Sequence, residues 1–372
     1  MTLRERIEQE IRERGPIPFS RYMELCLYEP ELGYYARSRE QFGKAGDFYT
    51  SSDVHAIFGR LMARQFEEMW RALGSPAKVE IVELGPGRGL FARDVLDWLR
   101  QKFADFFHAL HYTLVERSAA LREKLETTLS DHVTAGKAAV VGDVASYVST
   151  ENVIVFGNEF FDALPVEVMS SHGAMRIRCE AGRFVESFVS ASPAEMEYLD
   201  RYSVHPEEGE RVEAGLEAQR WMPRIVAAVP RGFVVIIDYG YTREELLAGR
   251  RRGTILCYRR HSASDNPYEA PGEQDITAHV NFTALRAAGE QAGLDCLGLM
   301  TQAQLLMGIG EGTQFSDAFE DAHLPQERAK RALQLKHLVT PVGMGETFSV
   351  LMMAKGVAGE KTAGLSGLKF GH

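Results

Sequence analysis

The sequence predicts an α/β fold: a mostly parallel sheet with helices on both faces. Three observations predict it. From Val79 onward, short apolar runs alternate with helical segments, the rhythm of strands joined by crossover helices. A glycine-rich turn, residues 85–89, follows the first of those runs, at the sheet end where such folds bind ligands. A late apolar run, 348–353, reads as a further strand.

The elements follow in order. Residues 1–76 read as an N-terminal helical cap with a glycine-rich loop. A charged helix comes first, then the aromatic-rich stretch GPIPFSRYMELCLYEPELGYYA and the loop G-K-A-G-D-F-Y-T. An amphipathic helix closes the cap, with Val54, Ile57, Phe58, Leu61, Met62, Phe66, Met69, Trp70 and Leu73 on one face at steps of three and four. Gly74, Ser75 and Pro76 end it. Residues 77–158 read as the first part of the core, with strands at Val79–Leu84, 112–115, Ala138–Val141 and 153–156, and helices over 90–99 and 121–125. Residues 159–229 read as an insertion shaping the acceptor site: a hairpin, RIRCE-AG-RFVESFV, and helices around 195–202 and 213–226. Residues 230–355 complete the core with the strand 233–237, inserted helical segments including 329–338, and the final pair. Residues 356–372 read as a C-terminal tail.

Length alone, 372 residues, suggests two or three units at about 150 residues each. The scatter of strands that should share one sheet argues instead for a single core with additions. A content of 45% hydrophobic and 25% charged residues excludes disorder and collagen-like structure. The net charge of −10 disfavours nucleic acid as the main partner and mildly favours a basic one. Cys26, Cys179, Cys257 and Cys296 form no C-x-x-C pair and read as reduced thiols. No apolar run approaches the roughly 20 residues that cross a bilayer. The start lacks a signal peptide's apolar region, and its acids argue against a transit peptide. These features lead to the expectation of a cytoplasmic protein without membrane insertion.

The segment V-E-L-G-P-G-R-G-L carries Gly85, Gly87 and Gly89, which let the backbone turn tightly and approach a ligand. Its spacing departs from the G-x-G-x-x-G dinucleotide fingerprint. Glu83 precedes it, where a carboxylate would repel a pyrophosphate. A cationic, donor-rich ligand suits that acid, and S-adenosylmethionine fits: it carries an ammonium and a sulfonium and no phosphate. Glu116, ending Y-T-L-V-E, is placed to accept from two ribose hydroxyls, and Asp143, in V-V-G-D-V, from an adenine amino group. Each acid alone reads more readily as a solvated loop residue; the ordered set points to the cofactor. A nicotinamide dehydrogenase is the distant alternative.

The chain resembles the MidA family of class I S-adenosylmethionine-dependent methyltransferases, which includes a mitochondrial arginine methyltransferase that assists complex I assembly. The resemblance spans nearly the whole sequence. It rests on GKAGDFYTSSDVHAIFG, VELGPGRG, FGNEFFDALPV, DYGY, GTILCYRRH, PGEQDITAHVNFTAL and PVGMGETFSVLMMAK. It implies a Rossmann-like methyltransferase core with an antiparallel last strand, 348–353 pairing with 295–300, and, as acceptor, an arginine in a complex I subunit; homodimers are compatible with it.

Gly157, Asn158, Glu159 and Asp162 follow the fourth strand, the position that lines the acceptor pocket. A guanidinium, with a pKa of about 13.8, cannot be freely deprotonated at neutral pH, so carboxylates must orient it and take the proton. Glu159 is the first candidate, Asp162 the second, and Asn158 stands beside them. The alternative is that Asn158 and Glu159 cap a following helix. Asp47 and Tyr49 are candidates to close over the cofactor, against a structural turn leading into the next helix. Asp238, after the fifth strand, could face the pocket. Asp275 and His279 read as a helix face or a bonded loop pair rather than metal ligands, and Arg259, Arg260 and His261 as solvated surface. No metal is expected. Two rivals remain: a small-molecule O- or N-methyltransferase, and a non-catalytic assembly or scaffold protein that keeps the fold.

Overall fold

Seven strands form where the apolar runs alternate with helices. We label them β1 Val79–Leu84, β2 Leu110–Val115, β3 Ala138–Val141, β4 Asn152–Asn158, β5 Arg231–Tyr241, β6 Asp295–Thr301 and β7 Phe348–Lys355. The computed structural model describes residues 1–36, 56–146, 150–249, 252–259, 262–341 and 343–371. The strands lie in the order β6-β7-β5-β4-β1-β2-β3. The pairs β5–β4, β4–β1, β1–β2 and β2–β3 are parallel, and β7 runs antiparallel to both β5 and β6. This is the expected α/β sheet: mostly parallel, with one antiparallel strand near its edge. All six residues of β1 are buried, as the middle of a sheet covered on both faces requires.

The described residues divide into two compact units. One gathers those of Tyr49–Glu159, Pro223–Tyr239 and Gly289–His372 and contains the large sheet. Its core joins Ile81, Tyr112, Leu114, Ile154, Phe156, Val235 and Val350 to the apolar stripe of α1, Ala56–Ala72. That stripe, read at steps of three and four, is buried at Ile57, Phe58, Leu61, Met62, Phe66 and Met69. The chain leaves α1 through Gly74 and Ser75, both at positive φ. Helix α2, Leu90–Lys102, crosses α1 so closely that a Cβ on Gly59 would come within 2.9 Å of Asp94 Cβ. Helices Gln302–Glu311, Ser316–Phe319 and Pro325–Val339 fill the connection between β6 and β7. They are fastened by the buried Asp317, which accepts from Trp98 Nε1 at 3.1 Å and Arg64 Nη2 at 3.2 Å.

The other unit gathers Met1–Phe48, Phe160–Met222 and Gly240–Ala288, within the described residues. Helices Leu3–Arg14 and Phe19–Tyr28 pack Ile7, Ile11, Phe19, Tyr22 and Met23 against Val168, Met175, Ile177 and Phe184. The strands Gly173–Glu180 and Arg183–Val189 form the expected hairpin. Its turn residues Ala181 and Gly182 both have positive φ, the backbone that a tight two-residue hairpin turn demands.

Several boundaries differ from expectation. Helix α1, assigned to the cap, belongs with the sheet. Residues 356–372, read as a tail, hold to the same unit: Ser366 N and Oγ donate to Glu68 Oε2 at 2.9 and 2.8 Å, and Gly367 N to Gln65 Oε1 at 2.9 Å. The helix expected from 213 starts instead at Leu216, because Arg211–Ala214 is a strand paired with Glu167–Ser170. The alternation Arg-Val-Glu-Ala is too short to outweigh the helical pattern beside it, yet Glu213 is held there by Thr254 N and Oγ1 at 2.8 and 3.0 Å.

Candidate active site at the carboxyl edge of the sheet

The carboxyl ends of β1 to β5 lie along one edge of the sheet, and the sequence places an acid or a glycine turn after most of them. After β1, Gly85, Gly87 and Gly89 all adopt left-handed φ, at 61°, 55° and 74°, a backbone that L side chains adopt at a penalty. Gly85 N donates to Val115 O at 3.1 Å and Gly89 N to Pro86 O at 2.8 Å. Gly89 then opens α2, so the first amides of that helix face the loop. A Cβ on Gly89 would come within 2.8 Å of Leu125 Cδ2. Gly89→Ala is therefore expected to lower unfolding stability by about 1–2 kcal/mol and to weaken S-adenosylhomocysteine binding. Denaturant melts and calorimetry check both; unchanged binding would contradict the role given to the loop.

Glu83 is 4% exposed and its Oε2 accepts from Tyr112 Oη at 2.8 Å. Burial pushes its carboxyl up to about 8, although the Tyr112 hydrogen bond works against that. Glu116, at the end of β2, accepts from Ser118 N at 2.7 Å; burial raises it to about 7 against that bond and the nearby Arg122. Arg122 Nη1 donates to the carbonyls of Glu116 and Arg117 at 3.0 and 2.8 Å, holding the turn. Asp143, after β3, is exposed. It accepts from Ala145 N at 2.9 Å and from Arg224 Nη2 at 3.3 Å.

Asn158 ends β4 and Glu159 follows at φ 52°, a strained backbone for a residue other than glycine. Glu159 N donates to Ile237 O of β5 at 2.9 Å. Asn158 Nδ2 donates to Glu159 Oε1 at 2.9 Å. A carboxylate only accepts, so this contact fixes the amide orientation and leaves Oδ1 as the other end. That Oδ1 is buried without a hydrogen-bond partner, a state that native proteins rarely leave unexplained. No helix follows Glu159; the chain continues through a turn to Pro165, so the capping alternative has nothing to cap.

Asp162 lies in the other unit, 6% exposed, and its carbonyl accepts from Ala278 N at 2.9 Å. In that unit Asp275 Oδ1 accepts from Tyr35 Oη and Ile276 N, each at 3.0 Å, and His279 N donates to Thr254 Oγ1 at 2.9 Å. Among the described residues no group of three or more His, Cys, Asp or Glu could hold a metal ion, and no helix is long and apolar enough to cross a membrane. Asp238 is fully buried and accepts from Tyr239 N at 2.8 Å. Asp47, Tyr49, Arg260 and His261 lie outside the described residues. Tyr112 and Arg122 were missed in the sequence. The available signal was a tyrosine inside an apolar parallel strand, since a buried phenol needs a partner.

The residues fit S-adenosylmethionine. The left-handed glycines make a bare backbone turn, and the buried Glu83 and half-buried Glu116, at the ends of β1 and β2, suit a cationic or donor-rich ligand. Residues 61–300 match a family of S-adenosyl-L-methionine-dependent methyltransferases. The chain belongs to this family. It is an S-adenosylmethionine-dependent methyltransferase, and the dehydrogenase and scaffold alternatives fall. The chain is 31% identical, over 96% of its length and 85% of the relative's, to the mitochondrial protein arginine methyltransferase NDUFAF7 homolog of Drosophila melanogaster. With human mitochondrial protein arginine methyltransferase NDUFAF7 it shares 29% identity, over 91% of this chain and 80% of that one. A COG1565 superfamily member from Burkholderia thailandensis, solved with S-adenosyl-homocysteine bound, superposes at TM-score 0.83 with 29% identity, covering 99% of this chain and 95% of that one. One expectation is corrected here. The cytoplasmic location is overturned by the curated relatives, which are named mitochondrial; the acids of the first helix, read as arguing against a transit peptide, were too weak a signal to carry it.

Proposed function

We propose that the methyl acceptor is an arginine side chain of a protein. In this reading Asn158 and Glu159 orient the guanidinium, while Glu83, Gly85, Gly87, Gly89, Glu116 and Asp143 hold the cofactor. The observation that carries it is the pair at the end of β4: a buried, unpartnered Asn158 Oδ1 next to a carboxylate. Both are acceptors, and a guanidinium is all donors. The relatives named protein arginine methyltransferases support the same choice. The family resemblance makes a respiratory complex I subunit the first candidate carrier of that arginine.

When bound, S-adenosylmethionine supplies a methyl group on a sulfonium. The chain's part is alignment, which supplies much of the acceleration in an in-line displacement. A Glu159 carboxylate bonded to the guanidinium N–H groups would turn one nitrogen toward the methyl group and take that nitrogen's proton as it gains the methyl, the sulfur keeping the electron pair of the broken bond. Asn158 Oδ1 accepts a further N–H and limits rotation. Asp162, the second acid expected on this loop, is tested beside them.

The test supplies methyl-labelled S-adenosylmethionine and the purified protein to an extract from cells lacking it. Label is expected in protein, released as methylarginine on acid hydrolysis and lost with Glu159→Gln; Asp162→Asn shows whether the second acid shares the role. Label confined to metabolites would overturn the arginine reading in favour of a small-molecule acceptor.

A further inference from the structure

Among the described residues, Glu83 sits in apolar surroundings with Tyr112 as its hydrogen-bond partner. Its register partners are Phe156 on β4 and Leu114 on β2. Phe91 of α2 stacks on Phe156 with ring centroids 4.5 Å apart, and Phe66 of α1 meets the same ring at 5.6 Å. Tyr112, two residues before Leu114 on β2, is fully buried and its phenol O–H donates to Glu83 Oε2 at 2.8 Å. Glu116 is the next titratable group along that strand, two residues beyond Leu114. A buried carboxylate with no cation beside it is held ionised only by donors.

We propose that Tyr112 is a positioning residue for cofactor binding: its phenol fixes the Glu83 carboxylate and keeps it an acceptor for the cationic ligand. This rests on Glu83 being a cofactor ligand. Burial raises Glu83 to about 8 even with the phenol in place, so without that donor more of the carboxyl stays protonated at neutral pH. The loss is then largest at neutral pH and shrinks where alkali ionises the carboxyl, whereas a simple packing defect weakens binding equally at every pH.

Calorimetric titration with S-adenosylhomocysteine between pH 6 and 9.5 separates these outcomes. Tyr112→Phe is expected to bind about tenfold more weakly at pH 7, one pKa unit's worth, and to approach wild type by pH 9. Glu83→Gln is expected to bind weakly throughout. A Tyr112→Phe loss that is absent or independent of pH, with Glu83→Gln still impaired, overturns the proposal alone. Wild-type binding by Glu83→Gln removes the reading of Glu83 and takes the proposal with it. A measurement on the unaltered protein guards against a variant that does not fold. The infrared band of the protonated Glu83 carboxyl, assigned by its loss in Glu83→Gln, should vanish when S-adenosylhomocysteine is added at pH 7. A band that persists in the complex contradicts the proposal.

Discussion

Replacing Glu159 by glycine should give a protein at least as stable as the wild type that no longer transfers methyl groups at a useful rate. Glu159 holds φ 52°, where a side chain costs about 1 kcal/mol relative to glycine. The residue is not there for the backbone's sake. Its amide still bonds Ile237 O in the variant, because that contact at 2.9 Å uses the main chain. The carboxylate is lost, and with it the acceptor we propose for the guanidinium and its proton, a role worth about 10²–10⁴ in rate. Glu159→Gln keeps the strain and the shape but not the charge, so it should match glycine in activity and fall below it in stability. Melting curves, S-adenosylhomocysteine affinity and turnover, measured on all three proteins, check the claim. Affinity should hardly move. A glycine variant that is less stable than wild type, or that keeps its turnover, would contradict the assignment.

Glu83→Gln should stabilise the free protein while damaging cofactor binding, and the gain should depend on pH. The folded protein holds the Glu83 proton to about pH 8, whereas the unfolded chain releases it near the ordinary value of about 4.3. The native state therefore binds more protons between those limits, and linkage makes stability fall as pH rises through that window. Glutamine abolishes this loss and can still accept from the Tyr112 phenol. The advantage of the variant should be near zero at pH 4.5, grow to a few kcal/mol by pH 8, and stay level above it. Glu116 contributes in the same direction up to about pH 7, but it is common to both proteins and cancels in the difference. Urea melts at pH 5, 6.5 and 8 measure it. A difference that ignores pH would contradict the buried, proton-holding carboxyl described here.

Much of the sheet was legible because each strand is a short apolar run bounded by turn chemistry. Val79–Leu84 and Ala138–Val141 match the expected limits, and the late pair around Phe348 is antiparallel as the family resemblance implied, although its separation is longer than a hairpin needs. The glycine loop was legible for a local reason: three left-handed positions demand three glycines. What escaped depends on contacts distant in sequence. Glu213 sits beside a helical pattern and becomes a strand residue because Thr254 meets it. The allegiance of α1 and of residues 356–371 to the sheet unit rests on Gln65 and Glu68 reaching Gly367 and Ser366. Asp162 was read with Glu159 because both follow the fourth strand closely, yet the two fall in different units. The pairing of Tyr112 with Glu83 crosses two strands, and no periodicity within one strand reveals it.

The central claim is that this methyltransferase acts on arginine in a protein, through Asn158 and Glu159. Quantitative mass spectrometry of cells carrying the wild-type protein, Glu159→Gln or none tests it most directly. A methylated arginine on one or a few peptides should be present with wild type and absent from the other two. An arginine methylation pattern identical in all three, alongside a methylated metabolite that disappears, would contradict it.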